Sequence, residues 1–142
     1  MHVTKYRQLK LKSTEAGGQL FGTINDDKVC VVEATGPYTG DLRTRLSYRS
    51  NPTAAQCAIN KQSQRGLLYL GEWHTHAEDR PTSSSFDDDA MRRLNVNSRL
   101  NSNSLLMLIV GRSPNIDGFS ILSTSKTRVY HWQLEILKNQ NY

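Results

Sequence analysis

Cysteine is scarce in this 142-residue chain, where Cys30 and Cys57 stand alone with no CxxC spacing and no second pair. They read as free thiols in a reducing compartment, which argues against a disulfide framework. No apolar run approaches the roughly 18 residues needed to span a bilayer. The opening "MHVTKYRQLKLK" also lacks the apolar h-region of a secretory signal, so a cytoplasmic protein without a membrane partner is expected. Dense blocks of one charge are missing too. The net charge is +5, but the basic residues (Lys5, Lys10, Arg43, Arg45, Arg65, Arg92, Arg93, Arg112, Arg128) are spread along the chain. Nucleic acid is therefore an unlikely partner. No internal repeat or low-complexity linker divides the sequence.

What is present suits one hydrophobic core. A chain of this length is expected to form a single domain over residues 1–142. Its 37% hydrophobic and 22% charged residues are those of an ordinary globular protein. "EAGGQLFGTI", the turn "NDD" and "KVCVVEAT" predict a hairpin. "NPTAAQCAINKQSQRG" predicts a helix over 52–65, with Asn51 as N-cap, Pro52 at the first helical position and Gly66 just past the end. "LLYLGEWHTH" reads as a strand. "SFDDDAMRRLNVNSRL" spaces Phe86, Ala90 and Leu94 at intervals of four and reads as a helix with its acids in the first turn, where the helix dipole favours them. "SLLMLIVG", "DGFSILS" and "TRVYHWQLEIL" complete a mixed α/β domain: a central sheet with one helix before and one after the histidine-bearing strand.

The chemistry is concentrated in "YLGEWHTHAEDRPTSSSFDDD", residues 69–89. Side chains two apart on a strand share a face, so His74 and His76 project together while Thr75 faces away. Two ligands for one ion are thereby available, and a catalytic zinc takes three. Asp87 is the best third donor, if the turn containing Pro81 folds back onto the strand's end. The plainer reading is that Ser84-x-x-Asp87 is a capping-box spacing, as is Ser85-x-x-Asp88, and marks only a helix start. Capping, however, requires no histidine pair upstream. Glu72 shares strand parity with both histidines and competes as a base or a fourth ligand. Glu33, in an apolar strand, reads as solvent-facing. Asp88 and Asp89 read as first-turn charges, His2 and His131 as surface or packing residues, and Trp73 as core.

His74-x-His76, seven residues, Ser84, two residues and Asp87 resemble the JAMM signature of the JAB1/MPN/Mov34 metalloenzymes. "TEAGGQLFG" is similar to that family's Glu-x-Gly-Gly-x-Leu-x-Gly opening. The resemblance implies a curved mixed sheet flanked by helices, a cytidine-deaminase-like α/β fold. It also implies Zn2+ on His74, His76 and Asp87, with Glu15 as general base and Ser84 donating to the oxyanion. "GEWHTH" resembles most closely small prokaryotic JAB proteins beside cyclic-oligonucleotide antiphage (CBASS) systems. These are isopeptidases that release the system's nucleotidyltransferase from a ubiquitin-transfer-like conjugate. A protein substrate bound through an extended carboxyl-terminal tail is implied, with Tyr38 to Ser50 as the candidate contact. Ala77 departs from the pattern by replacing the usual proline, which implies a less rigid loop. The alternatives are a silent JAB/MPN scaffold, a sulfur-carrier-processing peptidase and a DNA-repair-associated relative. Filled ligand positions favour an enzyme over a scaffold.

Overall fold

The computed structural model describes residues 1–26, 28–97, 105–124 and 128–138. A hairpin of β1 (Gly17–Asn25) and β2 (Lys28–Ala34) leads to a two-stranded ribbon of β3 (Leu42–Arg43) and β4 (Tyr48–Arg49). Helix α1 (Pro52–Gln64), strand β5 (Leu68–Thr75) and helix α2 (Ser85–Asn97) follow. Strands β6 (Leu106–Val110), β7 (Phe119–Thr124) and β8 (Val129–His131) come last. The main sheet has the order β2-β1-β5-β6-β7-β8. Strands β5 and β6 are parallel and the remaining neighbours antiparallel. A parallel pair needs a crossover, and the segment bearing α2 supplies it.

Period-two alternation in β6 explains why "LMLIV" is apolar throughout. Leu106, Leu108 and Val110 pack with Trp73, Leu20, Leu70 and Val3 on one face of the sheet. Met107 and Ile109 pack with Met91, Leu105 and Leu122 on the other. A strand covered on both sides has no solvent face to reserve for polar residues. Helix α1 starts as its sequence predicts, with the Asn51 side chain accepting from the backbone N–H of Thr53 and Ala54.

The structure settles which face of one helix is buried and shortens one expected strand. Helix α2 buries Met91, with Leu94 packed beside it, and leaves Phe86 exposed. Asp87, Met91 and Leu94 follow the i, i+4, i+7 spacing of one helical stripe. Phe86 sits about 100° round from Asp87 and so turns outward. The strand expected over "TRVYHWQLEIL" shrinks to Val129–His131. Trp132 still donates its backbone N–H to Ile121 O and its indole N–H to Ser123 Oγ, each at 2.9 Å. Beyond it an apolar alternation alone makes no ladder, because strand propensity needs a paired neighbour. Among the described residues no helix is long and apolar enough to cross a membrane.

Candidate metal centre

Strand β5 lies between β1 and β6, and its register places His74 opposite Gly17 on one side and Ile109 on the other. His76, just beyond the strand, still donates its N–H to Val110 O at 3.0 Å. Both imidazoles therefore stand on fixed backbone and face the α2 side of the sheet. Their Nε2 atoms are 3.0 Å apart. Asp87 reaches them from the first turn of α2, with Oδ1 3.3 Å from His74 Nε2 and Oδ2 3.2 Å from His76 Nε2.

Glu15 arrives from the start of β1. Its Oε1 is 3.9 Å from His76 Nε2. Ligand atoms of Glu15, His74 and His76 all lie within 4.8 Å of one another, a group able to hold a metal ion. A tetrahedron around an ion with bonds of about 2.0–2.1 Å has edges of about 3.3–3.4 Å, near the spacing of the two imidazole nitrogens and the Asp87 carboxylate. The donor set fits zinc: two borderline nitrogens, one hard oxygen, and a second carboxylate slightly farther away.

The pair of glycines before Gln19 lets these strands come together. A β-carbon on Gly18 would lie 1.8 Å from Thr35 O, and one on Gly17 would lie 2.4 Å from Trp73 O. Only glycine accommodates backbone at that distance.

Ser84 and Asp87 make a reciprocal cap. Ser84 donates its N–H to Asp87 Oδ2 at 2.9 Å, and Asp87 donates its N–H to Ser84 Oγ at 3.1 Å. The same carboxylate thus serves as the cap and lies against both imidazoles. A hydroxyl that accepts one bond still has its proton to donate, and Ser84 is exposed at the site's rim.

Electrostatics follow from this crowding. Burial opposes ionisation of Asp87, yet hydrogen bonding from His74 and His76 and the N–H of Ser84 hold it well below the usual carboxylate range. Burial also works against charge on His76, but the hydrogen bond and attraction from Asp87, then Glu15 and Glu78, leave it above its ordinary value. Glu15 is pushed up to about 7 by burial, against the pull of His76 and with added repulsion from Asp87 and Glu78. A carboxylate near neutrality is matched to proton transfer in both directions.

Glu72 does not join the histidines. It sits one step back on the same face, where Gln19 Nε2 donates to its Oε2 at 2.6 Å and the Tyr69 hydroxyl donates to its Oε1. Strand parity placed it correctly; the register with Gln19 gave it other partners. Burial raises Glu72 from 4.5 to about 7, more than the two hydrogen bonds lower it. The folded state therefore keeps a proton that the unfolded chain gives up, so this stability is whole below pH ~4.5 and is lost as pH rises through ~7. In chelator-treated protein, unfolding free energy should fall by about 2.5 kcal/mol more for wild type than for Glu72→Gln between pH 5 and 8. Denaturant titrations at both pH values read this directly, and parallel curves would exclude it.

Several supporting residues were not legible beforehand. Arg43 Nε donates to Glu15 O, and Glu15 N–H donates to Thr44 O, each at 2.7 Å. The single proton of the Tyr48 hydroxyl is shared between Asp41 Oδ2 at 2.6 Å and Gly17 O at 2.8 Å. Glu78 Oε1 lies 3.8 Å from His76 Nδ1, and an acid two residues past a candidate ligand was the one available signal. The loop lacking the usual proline at Ala77 is tied down otherwise. Arg112 and Ser113 donate backbone N–H groups to Glu78 O and Asp79 O, and Arg112 and Asp117 pair with Asp79 and Arg80. Glu33 pairs with Arg65 at the surface, Cys30 and Cys57 are exposed free thiols, and His2 packs against Tyr6 and Trp73.

Residues 5–125 match the family described as prokaryotic homologs of the JAB domain. The chain is 38% identical over 110 residues to the CD-NTase/cGAS isopeptidase of Vibrio cholerae serotype O1, covering 75% of this chain and 68% of that protein. The protein of the same name from Escherichia coli strain TW11681 is 34% identical over 115 residues, covering 79% and 71%. The backbone is similar to the solution structure of a protein from Desulfitobacterium hafniense, with a TM-score of 0.63, 19% identity and coverage of 98% and 88%. At that identity the likeness concerns the fold alone.

Proposed function

The chain belongs to the prokaryotic homologues of the JAB domain, and from that membership we propose that it is a zinc-dependent isopeptidase of bacterial antiphage defence. Its substrate is a conjugate in which the carboxyl terminus of a protein, ubiquitin-like or of the CD-NTase class, is joined to a target. The convergence of His74, His76 and Asp87 within 3.0–3.3 Å, with Glu15 beside them, is the observation that carries this reading. The relatives' shared name supports the substrate class.

His74, His76 and Asp87 would hold the ion. When bound, it supplies Lewis acidity that polarises the scissile carbonyl and acidifies water. Glu15 takes a proton from the attacking water and delivers it to the departing amine, so one carboxylate serves as base and then acid. Ser84 donates its hydroxyl proton to the oxyanion as charge develops there. Asp87 remains ionised throughout, held so by both imidazoles.

The ribbon β3–β4 lies directly behind Glu15, and Leu42 and Leu46 are 65% and 80% exposed on it. We assign the extended tail to this ribbon, where main-chain pairing gives affinity and side-chain contacts give choice. Leu42→Asp with Leu46→Asp should lower kcat/KM about tenfold or more with bound zinc unchanged. Zinc lost in parallel with activity would refute the division between binding and chemistry.

The whole reading is tested by cleavage of a purified CD-NTase conjugate with and without a chelator. Cleavage that stops on chelation and returns with zinc is expected. Unimpaired cleavage in chelator, or none by the zinc-loaded protein, would overturn it.

A further inference from the structure

Gln8 is 1% exposed, and both polar atoms of its side chain are used. Its Nε2 donates to Ser13 O at 3.2 Å and to Arg45 O at 3.0 Å, and its Oε1 accepts from Thr75 Oγ1 at 2.9 Å. Thr75 Oγ1 accepts in turn from Ala16 N–H at 2.9 Å, and Thr75 N–H donates to Ala16 O at 2.8 Å. Ala16 is the residue after Glu15. Arg45 belongs to the ribbon whose Thr44 and Arg43 hold the Glu15 backbone from the other side.

One amide thus joins the three segments that fix Glu15: the loop leading into it, the ribbon behind it, and Thr75 between the two histidines. A buried primary amide loses hydration and is retained only when each donor and acceptor is matched. Here Ser13 O and Arg45 O lie in the segments ahead of and behind Glu15, Thr75 is bonded to Ala16 while sitting between the two histidines, and none of the amide's bonds is made to the side chains of His74, His76 or Asp87. We infer that Gln8 is a positioning residue for the Glu15 carboxylate, setting its reach toward the histidine pair without contributing to ion binding. This rests on Glu15 being the base, as proposed above. Displacement of a proton-transfer group by a fraction of an ångström is costly in rate, since transfer needs hydrogen-bond distance.

The test is a double-mutant cycle on the zinc-loaded full chain, using single-turnover cleavage of a tailed conjugate. Gln8→Met should lower the cleavage rate about 10- to 100-fold, with KM and zinc stoichiometry within about twofold. In the Glu15→Gln background the same change should cost less than about threefold, because the group it positions is already disabled. Equal losses in both backgrounds, or parallel loss of zinc, would make Gln8 a general structural residue and overturn the inference. No loss in either background would also overturn it. If Glu15→Gln alone cleaves at the wild-type rate, the base assignment itself has failed, and that outcome is read from the single variant. Should Gln8→Met not fold, Gln8→Glu retains the acceptor for Thr75 while removing both donors to Ser13 O and Arg45 O. The same cycle then applies.

Discussion

Glu15→Gln is expected to lower kcat by about 10²–10⁴-fold while bound zinc stays at the wild-type level. The amide fills the same volume at the start of β1, and its backbone bonds to Thr44 and Arg43 do not involve the side chain. What it loses is the ability to accept a proton near neutrality, where burial has poised the carboxyl at about 7. Because binding and ion ligation are left to other residues, KM should change little. Turnover within twofold of wild type would remove Glu15 from the chemistry and make Glu78, which faces His76 from the side opposite Asp87's Nε2 contact, the next candidate.

Asp87→Ala has an effect of a different kind. The carboxylate balances two imidazoles and accepts the Ser84 N–H, so its removal strips a ligand and a helix cap together. Zinc stoichiometry should drop to near zero at limiting metal, cleavage should fall below detection, and the lost cap should cost about 1 kcal/mol of stability. Asp87→Asn separates the two roles. Its amide oxygen still accepts from Ser84, so stability should largely return, while the neutral oxygen is a poor ligand and zinc should stay low. If the asparagine variant keeps full zinc, Asp87 is a cap and not a ligand.

The contrast between these residues also explains how far the sequence could be read. His74, His76, Ser84 and Asp87 fall within one short stretch, where strand parity and helix spacing act locally and leave few alternatives. Glu15 was visible only through the likeness of "TEAGGQLFG" to a family pattern, since nothing in spacing brings residue 15 to residue 76. Glu72 showed its correct face but not its partners, because the β1–β5 register decides that Gln19 sits opposite. Gln8 was invisible: its bond to Thr75 spans 67 positions, and a lone glutamine in a basic lead carries no periodic signal. The spacing of four from Phe86 to Ala90 marks a helix but leaves its buried face open, since Asp87 to Met91 fits a stripe as well. Only the demand that Asp87 face the histidines chooses between them.

The reciprocal cap between Ser84 and Asp87 ties the order of α2 to the state of the histidine cluster. Whatever draws the carboxylate toward the imidazoles also fixes the amide protons of the helix's opening turn, and whatever releases it lets that turn fray. Hydrogen-exchange protection at the amides of Ser84, Asp87 and Asp88 should therefore act as a gauge of site occupancy, legible in intact protein without any substrate.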